Sequence, residues 1–150
     1  MFTNILVPLD GSINSQKALT FAIKLARKFS SSLTLLSVVD NRDFSGSIPA
    51  ANAATPIIKD EEISQLVNYA NKVVDDGLKT VKENGLDAKT LVKKGYPKAI
   101  IATDTPKEEN IDLIVMGKSG RGALDRLLIG STTAYVVRNT NVQVLVVNAG

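Results

Sequence analysis

Apolar residues fall along this chain in short unbroken runs and in longer stripes, and the two patterns alternate. Residues 2–9 carry Ile5, Leu6 and Val7 in succession, which a strand can bury only when both of its faces are covered, as in the middle of a parallel sheet. From 13 to 29 the apolar positions Ala18, Ala22, Leu25 and Phe29 recur at helical spacing, with Ser12 placed to cap the helix. Residues 33–39 (LTLLSVV) predict a second strand ending on Asp40. Residues 41–56, rich in Ser, Gly, Ala, Asn and Pro and without periodicity, predict a long loop and not a domain linker. A stripe through Ile63, Leu66, Ala70, Val73, Gly77 and Val81 predicts a helix over about 58–84, stopped by Asn84 and Gly85. Residues 89–93 predict a short third strand; Pro97 suits the first turn of a helix through about Asp104, and Pro106 marks its exit. Residues 111–116 (IDLIVM) predict a fourth strand, which Gly117 breaks. A glycine-bearing stretch leads to a helix over about 131–138, and 142–147 (VQVLVV) predict the last strand. Strands alternating with helices need crossover connections, so the expected fold is α/β: an open, doubly wound, five-stranded parallel sheet with helices on both faces. Ligands of such sheets bind beyond the carboxyl ends of the strands, where strand order reverses.

Length and composition narrow the chemistry. At 150 residues one domain spanning the chain is expected, with no internal repeat. There is no cysteine and no histidine, which removes disulfides, thiolate metal sites, cysteine nucleophiles and the imidazole on which most zinc sites and serine triads rely. No catalytic residue and no metal ligand set stands out. The net charge of +3 is mild and its lysines and arginines are interleaved with acids, so no nucleic-acid partner is expected. The apolar run at the amino terminus is too short for a signal segment or a membrane span, which makes the cytoplasm the expected location, without a membrane partner.

Two glycine-bearing strand exits carry the candidate chemistry: LDGS after the first strand and MGKSGRG after the fourth. Asp10 and Gly117 should face each other across the crevice between these strands. Gly117 and Gly120 let the chain take positive φ and bring bare amides close to a ligand. Gly130 and Ser131 open a helix whose first amides have no internal partner and carry the positive end of its dipole. Loop and helix amides together predict an anion site, to which the hydroxyls of Ser131, Thr132 and Thr133 add donors and Lys118 and Arg121 add charge.

At this point a resemblance enters. Glycine, two residues, glycine, nine residues, glycine and serine, here Gly117, Gly120, Gly130 and Ser131, is similar to the nucleotide-binding signature of ATP-binding universal stress proteins. The opening ILVPLDGS, the second strand ending VVD, the strand IDLIVMG and the closing VQVLVV resemble that family over nearly the whole chain. The resemblance implies a Rossmann-like sheet of strand order 3-2-1-4-5 and an adenine nucleotide ligand, ATP first, with AMP or ADP as variants. Magnesium or manganese would be held only through the phosphates. It implies a nucleotide site of Pro8, Leu9, Asp10, Val39, Met116, Gly117, Gly120, Gly130, Ser131, Thr132 and Thr133, with Arg121 beside them. Asp10 would contact base or ribose, the backbone at Val39 would read the adenine, and the glycine loop with Ser131 would hold the phosphates. Lys118 and Ser119 fall in the variable pair of the signature, so no role carries over to them. Residues 142–147 would be an edge strand, and the resemblance implies a homodimer paired there.

Other readings weigh less. GKS at 117–119 is not a Walker A loop, because the position five before Gly117 is Asp112 and not glycine. A dinucleotide fingerprint would need three glycines after the first strand, where only Gly11 stands, although Asp40 resembles the ribose-binding acid of such folds. Asp10 also suits a turn, Ser131 a helix cap, and the acidic pairs at 61–62, 75–76 and 108–109 solvated surfaces. In function, a nucleotide-dependent regulatory module in stress response leads. A slow ATPase or nucleotide transferase and a nucleotide-free scaffold are the alternatives.

Overall fold

A computed structural model of the chain describes residues 1–40, 60–119 and 128–148. Five strands form one all-parallel sheet: β1 (Asn4–Pro8), β2 (Ser32–Asp40), β3 (Ala88–Gly95), β4 (Leu113–Gly117) and β5 (Gln143–Val147), in the order β3-β2-β1-β4-β5. Ile5, Leu6 and Val7 of the central strand are fully buried because helices cover both sides. Side chains alternate along a strand, so Ile5, Val7, Leu33, Leu35, Leu113 and Val115 join one core with α1 (Ile13–Phe29). Leu6, Leu36, Ile114 and Met116 join the other. Truncating one of these side chains to alanine costs about 2–5 kcal/mol, so the apolar runs read from the sequence hold the sheet.

Ser12 caps α1 by accepting from the Ser15 amide at 3.1 Å. Helix α2 (Asp60–Glu83) buries Ala70, Val74, Gly77 and Val81. Gly77 is needed there, because a Cβ would lie 2.8 Å from a methyl of Leu9 and 3.1 Å from one of Leu35. The helix stops as expected: Gly85 has φ +78° and Leu86 donates to the Val81 carbonyl, the left-handed closure that glycine favours. The predicted start of this helix near residue 58, like the predicted loop at 41–56, lies outside the described residues.

Three local expectations need correction. Pro106 does not end its helix. After α3 (Pro97–Ala99) the chain widens into a π-helical turn (Ile100–Asp104) and continues as α4 (Thr105–Glu108). The Thr105 amide reaches back to the Ile100 carbonyl, and this wide turn just before Pro106 gives room where a proline ring would otherwise press on the preceding turn. The third strand is longer than its apolar residues indicate, because β3 pairs with β2 from Ala88 to Gly95 and carries Lys89, Lys93 and Lys94 within it. Gly117, finally, does not break β4. It is its last residue, paired with Val147, and its φ is not positive.

Candidate functional site

At the carboxyl ends of the strands, where the order turns between β1 and β4, a crevice of about 720 Å³ opens. Its apolar lining is Leu36, Val38, Pro97, Ile101 and Met116; its polar lining includes Asp10, Ser12, Asp40, Ser119, Ser131 and Thr132. This volume and mixture suit a small organic ligand with one polar end.

The β1 exit is built by hydrogen bonds. Asp10 Oδ1 accepts from the Ser12 amide at 2.9 Å, closing a turn around Gly11, whose φ of +83° favours glycine. Asp10 thus serves the turn and lines the crevice as well. A Cβ on Gly11 would land on the Tyr69 hydroxyl, so α2 packs against this turn.

The β4 exit has a different geometry from the expected one. Gly117 is required by packing: a Cβ would lie 2.9 Å from both the Cβ and the carbonyl oxygen of Asn14 in α1. The Lys118 amide donates to the Val147 carbonyl at 3.1 Å, and the Gly130 amide donates to the Lys118 carbonyl at 2.9 Å. Both amides are therefore held by protein and are not available to an anion. Gly120 and Arg121 lie outside the described residues.

What remains is the start of α5 (Ser131–Asn139). Its N-cap is Gly130, which has no side chain to cap with, so Ser131 is the first helical residue and not the cap. The Ala134 amide already reaches the Gly130 carbonyl at 2.9 Å. The amides of Ser131, Thr132 and Thr133 have no partner within the helix, and all three residues line the crevice. Thr133 is buried and its hydroxyl donates to the Gly117 carbonyl at 2.9 Å, so this proton is not available to a ligand, contrary to expectation. That bond and the Gly130–Lys118 bond fix the helix start against β4.

Of the expected site residues, Pro8, Leu9, Asp10, Met116, Gly117, Gly130, Ser131, Thr132 and Thr133 come together on the crevice. The Val39 side chain is buried against Ala70 on the α2 side, while its neighbours Val38 and Asp40 line the crevice; the role expected of Val39 is a backbone one, which this side-chain position does not bear on. Ser12, Ser15, Leu36, Pro97, Ile101 and Ser119 also line it, beyond the expected set. Strand alternation could have separated Val38 from Val39; no local signal marks Pro97 or Ile101.

Charge is divided across the crevice. Asp10 and Asp40 stand at the ends of β1 and β2, and the positive end of α5 stands beyond β4. Among the described residues no three of His, Cys, Asp and Glu are grouped to hold a metal ion.

The pattern of the Universal stress protein family matches residues 1–148. The chain belongs to the universal stress protein family. A universal stress protein homologue of Staphylococcus aureus (strain USA300) is 30% identical over 148 residues, 97% of this chain and 84% of that one. The structure of the universal stress protein UspA from Lactobacillus plantarum is similar to this one with a TM-score of 0.81 at 33% identity, covering 97% of each chain. Two more distant universal stress protein structures share the fold. One, in complex with cAMP, has 24% identity, a TM-score of 0.64 and 99% of each chain covered. The other, from Arabidopsis thaliana with AMP bound, has 17% identity, a TM-score of 0.68 and 97% and 90% covered. Among the described residues of this universal stress protein, no helix is long and apolar enough to cross a membrane.

Proposed function

We propose that this universal stress protein binds an adenine nucleotide in the crevice, ATP in the first place with ADP or AMP as lesser ligands, and acts as a nucleotide-dependent regulatory module. The observation that carries the reading is the uncapped start of α5: a helix nine residues long begins at a glycine, on the wall of a crevice that also holds an apolar slot and two carboxylates. Leu36, Val38, Pro97, Ile101 and Met116 suit a base, Asp10 and Asp40 accept from ribose hydroxyls, and the α5 amides with the Ser131 and Thr132 hydroxyls receive phosphate. The signature Gly117, Gly120, Gly130 and Ser131 supports the assignment to the ATP-binding subgroup, and family members in complex with cAMP and AMP support an adenine ligand.

Magnitudes agree. A hydrogen bond to a charged phosphate contributes about 1.5–3 kcal/mol and micromolar affinity needs about 8 kcal/mol, so three or four such contacts with base packing suffice. A divalent ion would be carried by the phosphates. Binding changes the protein's output only through a difference in affinity between conformations, and a cytoplasmic homodimer paired through the β5 edge is the assembly we assign to it.

Calorimetric titration of ATP, ADP and AMP into the protein tests the reading. We expect micromolar ATP binding that Gly130→Val abolishes, since a branched side chain at the helix start crowds the phosphate approach. Wild-type protein that binds no adenine nucleotide at millimolar concentration would end it.

A further inference from the structure

Ser119 lies in the variable pair of the glycine signature, yet it lines the crevice. Its hydroxyl oxygen accepts a hydrogen bond from Asn14 Nδ2 of α1 at 2.9 Å. A serine hydroxyl has one proton and two lone pairs. With one lone pair occupied by Asn14, the hydroxyl rotates about a fixed oxygen and its proton is left to donate. No other side-chain hydrogen bond of Ser119 occurs among the described residues. Position selects the recipient. Ser119 follows Lys118 and Ser131 follows Gly130, and the Gly130 amide donates to the Lys118 carbonyl at 2.9 Å. Ser119 and Ser131 therefore flank a single backbone hydrogen bond, which sets Ser119 beside the start of α5.

Resting on the nucleotide reading above, we propose that Ser119 binds the ligand, its hydroxyl donating to a phosphate oxygen of the nucleotide, and that Asn14 is the positioning residue that holds it there. Asn14 acts only through Ser119. Its amide fixes the oxygen while its own backbone and Cβ pack against Gly117, a contact that alanine retains.

The test is a double-mutant cycle read by calorimetry with ATP and adenosine as probes. We expect Ser119→Ala to weaken ATP about tenfold or more and adenosine by less than twofold, and Ser119→Thr, which keeps the hydroxyl, to restore ATP binding. Asn14→Ala should weaken ATP severalfold, and the double variant should bind ATP no worse than Ser119→Ala alone. Urea midpoints of the variants report whether the fold is retained. Ser119→Ala with wild-type ATP affinity, or an equal loss for adenosine, overturns the phosphate contact. Additive losses from the two substitutions overturn the positioning role of Asn14. Each of these leaves the nucleotide reading standing, whereas a wild type that binds no nucleotide removes both.

Discussion

Gly117 and its neighbours illustrate how little space the site leaves to individual side chains. The glycine is demanded by the approach of α1, since Asn14 presents a carbonyl oxygen and carbon at 2.9 and 3.0 Å to any added Cβ. Neither atom can swing aside, because both belong to the backbone of the first turn of a capped helix. Gly117→Ala should therefore lower stability by about 1–3 kcal/mol, the usual cost of forcing an extra carbon into a packed site. Urea denaturation measures it. At this scale the sequence marks the right residue for a different reason: a glycine after a strand invites a turn with positive φ, and the structure shows an extended residue under steric pressure. The side chains of Val38 and Val39 differ in a way that composition hides. Both valines of VVD are apolar, so composition cannot choose between them, and only the alternation of β2 assigns Val38 to the crevice and Val39 to α2.

Among the elements, α5 shares with the short α3 and α4 an N-cap that makes no side-chain hydrogen bond, and of these three it is the one longer than two turns. Helices normally satisfy their first amides with a Ser, Thr, Asp or Asn cap, as α1 does with Ser12, and α5 has a glycine there. A side chain that supplied the missing acceptor would compete with any anion for the same amides. Gly130→Asp should thus raise stability by a few tenths of a kcal/mol and weaken ATP at least tenfold, since it adds a negative charge where phosphate is received. Thermal unfolding and calorimetry on the one variant check both signs. A capping variant that weakens ATP by unfolding the helix would lower the melting temperature instead. Elements with strong patterns were legible: α1, α2, β1, β2 and β4 all stand within a few residues of their expected bounds. The helix around Pro106 was not, because a π turn leaves no mark in the apolar spacing. Nor was the full length of β3, whose ends Ala88, Lys94 and Gly95 lie beyond the expected 89–93 and follow only from pairing with β2.

On the scale of the whole molecule, the sheet has two edges of different character. The β3 edge carries Lys89 and Lys93, held to Glu109 and Glu108 at 2.6 Å, and charge of this kind discourages strand addition. The β5 edge is QVLVV. The Val147 carbonyl points towards β4, since it accepts from Lys118; alternation then turns the amides of Val144 and Val146 outward. Val146→Pro removes an outward donor without touching the β4 ladder, which edge strands tolerate. If the proposed homodimer pairs here, sedimentation should show a dimer for the native chain and a folded monomer for this variant. A dimer unaffected by the proline would place the interface elsewhere. The order of the five strands was implied by the family resemblance and the position of the crevice by the two glycine-bearing strand exits, whereas the walls supplied by Pro97 and Ile101 come from packing between elements distant in the chain.

The hydrogen bond from Gly130 to Lys118 has one more implication, for engineering. It brings the chain back to the point it left, so the span between these two residues has its ends tied independently of its length. Each doubling of such a span costs only about 0.6 kcal/mol in closure entropy. A reporter peptide or a recognition tag spliced into that span should leave the helix start where it is, making the nine-residue spacer between Gly120 and Gly130 an insertion point for sensors of ligand occupancy.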